Sequence, residues 1–131
     1  MKWLTLFFLI LSNAKVFAQN KGDNTILVLG KLTYSQIQSK LFDNGFVLTG
    51  NDTMFLKTNA KSTGYANMYL ILKRSDSTLS FKGYMDMTID GFNIGSTVVE
   101  NKGMKGSPIR NSFNEMVKVT ESFGLPLVYS K

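Results

Sequence analysis

Leu79-Ser80-Phe81-Lys82-Gly83-Tyr84-Met85-Asp86-Met87-Thr88-Ile89 alternates apolar and polar residues over its whole length. Successive side chains of a strand point to opposite faces, so this period of two describes an antiparallel strand with one buried and one wet face. Leu79, Phe81, Gly83, Met85, Met87 and Ile89 are expected inward, and Ser80, Lys82, Tyr84, Asp86 and Thr88 outward. Asn67 to Arg74 reads as its partner, joined to it through Ser75-Asp76-Ser77-Thr78. On the other side Asp90-Gly91 suits a tight hairpin turn, after which Phe92 to Val99 adds a short strand.

Upstream, Phe46-Val47-Leu48 and Met54-Phe55-Leu56-Lys57 flank the turn cluster Gly50-Asn51-Asp52. Residues 59–67 read as a polar loop. Thr33 and Gln36 have the spacing of a capping box, and Leu32 and Ile37 that of a hydrophobic staple. Tyr34, Ile37 and Leu41 then recur on one helical face until Asn44-Gly45 stops the helix near residue 43. Ile26-Leu27-Val28-Leu29 is an apolar run, expected as a strand buried on both faces or docked under a helix. Residues 19–24 read as a disordered lead.

Downstream, Ser107-Pro108 offers an N-cap followed by proline at the first helical position. Ile109, Phe113, Met116, Val117 and Thr120 continue one face, Gly124 and Pro126 end the helix, and Leu127-Val128-Tyr129 is a last strand. The expected fold is α+β, in the order β-α-β-β-β-(β)-α-β. It has two layers, an antiparallel sheet of four to six strands with two helices packed on one face.

The block Leu32 to Thr58, the strand Leu79 to Tyr84 and the ending Phe113-Asn114-Glu115-Met116-Val117-Lys118-Val119-Thr120-Glu121-Ser122-Phe123-Gly124 with Val128-Tyr129 form one pattern. It resembles small exported bacterial domains of unknown function with a TATA-binding-protein-like fold. A second comparison is the α/β module of β-lactamase-inhibitor type. The resemblance spans most of residues 19–131 and implies a fold and a periplasmic or secreted address. It implies no chemistry.

The address is also written at the start of the chain. Lys2 precedes the nine-residue apolar run Trp3 to Leu11, Ser12-Asn13-Ala14-Lys15 breaks it, and Val16-Phe17-Ala18 offers small or medium residues at the two positions a signal peptidase reads. Residues 1–18 are therefore expected as a cleavable signal peptide, with the exported domain beginning at Gln19. A membrane span needs about 20 apolar residues, so the run is too short to be one. The absence of cysteine excludes a lipid anchor on that residue and any disulfide. Loss of Lys2 and Lys15 lowers the formal charge from +6 to +4. That balance favours anionic surfaces slightly, and with the address it excludes nucleic acid as the expected partner.

Histidine and cysteine are absent from all 131 residues. Ser-His-Asp and Cys-His catalysis, thiolate chemistry and most zinc sites are thereby ruled out. An enzyme here would work with carboxylates alone; Asp86 and Asp90 are the candidate acid-base pair, against the simpler reading of a solvated strand face. Met85 and Met87 share a strand face, as a thioether pair for Cu(I) would, but they also continue the core face of Leu79 and Phe81. No cofactor or metal is expected. Lys102, Lys105, Ser107 and Arg110 gather two lysines, an arginine and a helix N-terminus into a possible anion-binding segment, against a solvated loop. Asp52-Thr53-Met54 and Asp76-Ser77-Thr78 fit a short O-glycosylation pattern at Thr53 and Ser77, against ordinary turn chemistry. The expected function is an exported non-catalytic binding or interaction module of the bacterial envelope or secretome. Its partner would be a protein, a glycan or another envelope component. The alternative is a small hydrolase built on carboxylates only.

Overall fold

A computed structural model describes residues 19–63 and 66–131, so the expected signal segment 1–18 lies outside the described residues. Chain order is β1 (Thr25–Leu29), α1 (Tyr34–Asp43), β2 (Leu48–Thr49), β3 (Phe55–Thr58), β4 (Lys61–Ser62), β5 (Ala66–Arg74), β6 (Thr78–Ile89), β7 (Phe92–Val98), α2 (Pro108–Glu121) and β8 (Leu127–Ser130).

The alternation of β6 makes it the spine of the sheet. It pairs with β5 from Ala66↔Met87 to Arg74↔Leu79. Along its opposite edge it carries β1 at Thr78 to Lys82 and β7 at Tyr84 to Ile89. The path runs β2-β3-β5-β6-β1-β8, with β4 on β5 and β7 on β6. Among the described residues the sheet thus has eight antiparallel strands, more than the expected four to six. The reason is that two edges are each covered by two strands placed end to end: β3 and β4 share β5, and β1 and β7 share β6. Six columns hold eight strands. β4 arises inside what reads as a polar loop, because Lys61 and Ser62 pair with Met68 and Asn67 despite having no apolar signal.

One cluster of buried side chains joins sheet and helices. Ile26, Val28, Met68, Leu70, Leu72, Leu79, Phe81 and Met85 come from β1, β5 and β6. Ile37 and Leu41 of α1 and Phe113, Met116 and Val119 of α2 complete it. Side chains of Met87 and Ile89, expected to extend this face, lie outside the described residues. Of the two forms expected for β1, the structure shows the one docked under a helix: it alternates, with Ile26 and Val28 inward against the core shared with α2 and Leu29 exposed.

Helix ends follow local chemistry. The Thr33 hydroxyl accepts from the Gln36 N–H and the Gln36 side chain accepts from the Thr33 N–H, at 3.2 and 2.9 Å. Ser107 caps α2 with Pro108 in its first turn. The segment expected as a disordered lead is instead tied down. Asp23 is buried and accepts from the Asn20 N–H, while Gly22 and Asn24 donate to the carbonyls of Asn101 and Ser130. Among the described residues, no helix is long and apolar enough to cross a membrane.

Candidate binding surface

The period of two that buries one face of the sheet exposes the other. Antiparallel partners lie directly opposite on the same face. The registers therefore place Thr49, Lys57, Ile71, Lys82, Thr25 and Ser130 in one row across all six columns. A second row runs Phe55, Lys73, Ser80, Leu27, Val128, and a third holds Tyr69, Tyr84 and Val98. Lys57, Lys73 and Lys82 are all exposed. With columns ~4.8 Å apart, the backbone at Lys57 and Lys82 is separated by about 10 Å. Lys73 lies on the diagonal from each, at roughly 7–8 Å.

Aromatic rings hold two of these lysines. Lys57 Nζ sits 5.0 Å from the centroid of Tyr69, whose ring stacks on Tyr84 at 5.5 Å and 16°. Lys73 Nζ lies 5.9 Å from the Phe55 centroid. Such contacts attract the ammonium group and limit its wandering. The ion pairs among the described residues are Lys61 with Glu115 and Lys102 with Glu100. Neither engages the open face.

A shallow cleft of about 430 Å³ opens on this face where β3 ends and β4 begins, lined by Thr49, Lys57, Asn59, Tyr69 and Asp86 among others. Asn59 Oδ1 accepts from the Val47 N–H at 2.7 Å, a bond that leaves the Asn59 side-chain N–H donors unused. The Tyr69 hydroxyl is 3.5 Å from Ser96 Oγ. The cleft therefore offers a cation, amide and hydroxyl donors, and the Asp86 carboxylate as acceptor.

Other residues singled out in the sequence stand elsewhere. Arg110 donates to the Gly103 carbonyl from Nε and Nη2, at 3.4 and 3.2 Å, and to Asn101 Oδ1 from Nη1. Ser107 Oγ accepts from the Arg110 N–H, and Lys102 pairs with Glu100 at 3.4 Å. The guanidinium holds its own loop together, and Lys105 remains exposed. Asp86 lines the cleft, whereas Asp90 occupies the β6–β7 turn with φ 50°. Four strand residues span about 13 Å, more than the roughly 5–9.5 Å over which paired carboxylates share a glycosidic bond. Met85 is buried in the core, and the side chain of Met87 lies outside the described residues. No cluster of three or more acidic side chains that could hold a metal occurs among the described residues.

Thr53 and Ser77 are both exposed in turns. Asp52 Oδ1 accepts from the N–H groups of Phe55 and Met54, which hold its carboxyl below the usual carboxylate range. No family model, curated protein or solved structure matches this chain.

The lysine–aromatic rows were not anticipated from the sequence. Reading β5 and β6 together in register would have found them, because Tyr69↔Tyr84 and Ile71↔Lys82 follow from the turn at 75–77.

Proposed function

We propose that this protein is an exported, non-catalytic binding module of the bacterial envelope or secretome, and that the open face of its sheet is the contact surface. The observation that carries this reading is the trio Lys57, Lys73 and Lys82 on a face bearing Phe55, Tyr69 and Tyr84, with none of the three lysines in an ion pair of the described residues. Cations kept over aromatic rings on an uncovered sheet cost little further ordering when an anionic partner arrives. The signal-like segment at residues 1–18 supports the address, and the absence of histidine and cysteine supports a role in binding rather than catalysis.

The test is retention of the purified protein on isolated envelope material. Replacing Lys57, Lys73 and Lys82 by glutamine should abolish retention. The same change at Lys21, Lys40 and Lys118, exposed lysines outside the open face, should not. Equal loss in both variants would reduce the effect to net charge and overturn the reading.

A further inference from the structure

Resting on the open face as contact surface, we propose that its occupant is an acidic polysaccharide, a chain carrying both carboxylates and ring hydroxyls. Three exposed lysines spread over about 10 Å of the open face suit an extended polyanion better than a single small ion. Charge alone leaves the class of polyanion open. Asp86 narrows it.

Asp86 lines the same cleft as Lys57 and Tyr69. An ionised carboxylate only accepts hydrogen bonds. Against a ligand with acceptor groups alone it repels, working against the lysines beside it. Against a sugar acid it gains, because ring hydroxyls donate to it while the sugar carboxylate meets Lys57. The donors of Asn59 and Tyr69 meet the remaining hydroxyl oxygens. The rings of Tyr69 and Tyr84 stack on one another, with Lys57 over the first. Their part is to fix the cation rather than to lie under a sugar.

The experiment compares polygalacturonate, neutral dextran, poly-L-glutamate and oligo-dT by calorimetry at low salt, with the melting temperature of each variant as a check on folding. Polygalacturonate should bind tightest, dextran should not bind, and Lys57→Gln or Lys82→Gln should each weaken polygalacturonate about tenfold. Asp86→Ala should weaken polygalacturonate while strengthening poly-L-glutamate, and Asp86→Asn, which keeps an acceptor oxygen, should recover part of the loss. If Asp86→Ala tightened both polymers, or if poly-L-glutamate or oligo-dT bound as tightly as polygalacturonate through the same lysines, the polysaccharide would be the wrong occupant and the open face would stand. If no probe responded to the lysine changes and envelope retention also survived them, the open face itself would fall.

Discussion

Met116 Sδ lies 3.3 Å from the point where a Cβ on Gly83 would stand, with Val99 Cβ and Cγ2 at 3.2 Å from the same point. Helix α2 thus crosses β6 at the one residue of its inward row that has no side chain. A methyl group there could push the Met116 thioether aside, but the β-branched Val99 has little room to yield. Gly83→Val should destabilise the protein by about 1–3 kcal/mol, as overpacked cores do. An unchanged urea midpoint would show that α2 does not rest on Gly83.

Lys61 links three elements. Its Nζ donates to Glu115 of α2 and to the Asn44 carbonyl after α1, and it lies 5.3 Å from the Phe46 ring centroid. Both charged side chains are mostly sheltered, at 30% and 20% exposure, so solvent screens them only in part. Lys61→Met should cost about 1–3 kcal/mol through the lost charged bonds. A double-mutant cycle with Glu115→Gln should show coupling of at least about 0.5 kcal/mol, and strict additivity would contradict the bridge.

Leu41 and Phe81 are fully buried, the first on α1 and the second on β6. Phe81 also meets Phe123 edge to face at 5.8 Å. Truncating either to alanine should lower stability by about 2–5 kcal/mol in chemical denaturation. Retention of the wild-type midpoint by both would be incompatible with a shared core.

Asp52 supplies the pH dependence. Its carboxyl titrates below the usual 3.8, because the ionised form accepts two backbone N–H bonds. A depressed folded-state pKa contributes stability that is present above the unfolded value and lost as pH falls through the folded one. The amide resonances of Met54 and Phe55 should therefore shift together only below about pH 4. Asp52→Asn should remove that transition, and a midpoint at or above the ordinary value would show that the turn bonds are not made in solution.

On the proposed export, the intact mass of the protein recovered from its source cells should correspond to a chain starting at Gln19, with or without pyroglutamate. Retained residues 1–18 would overturn the export reading. An added glycan mass mapping to Thr53 or Ser77 would assign the modification, and the bare mass would leave both as turn residues.

Elements whose signals are local were legible in the sequence. The capping box of Thr33 and Gln36 starts α1 where its spacing demands, and Ser107-Pro108 starts α2. Residues 79–89 read correctly as a strand because alternation depends on one burial plane and nothing else. β4 was illegible for the opposite reason. Its two polar residues are strand only because β5 offers them an unpaired edge. The same logic separates the two halves of the candidate site. Asp86 stood out as an outward residue of a regular strand, but its nearness to Lys57 depends on β3 pairing with β5 and on the chain breaking at Asn59-Ala60. Nor could the sequence show that Arg110 spends its donors on Gly103 and Asn101, since a positive patch in one dimension carries no record of internal partners.

The pairing of β1 with β8 sets Val28 against Leu127, so β1 is clasped between β6 and a strand synthesised about 100 residues later. Hairpins such as β5–β6 and β6–β7 can close as soon as their own residues emerge, since their loops are short and closure entropy is small. The β1–β8 seam must wait for the roughly 100 residues that separate the two strands. A polypeptide with that order of events stays incompletely folded until β8 emerges, which is the condition the proposed export would need if the chain is to be threaded through a narrow channel.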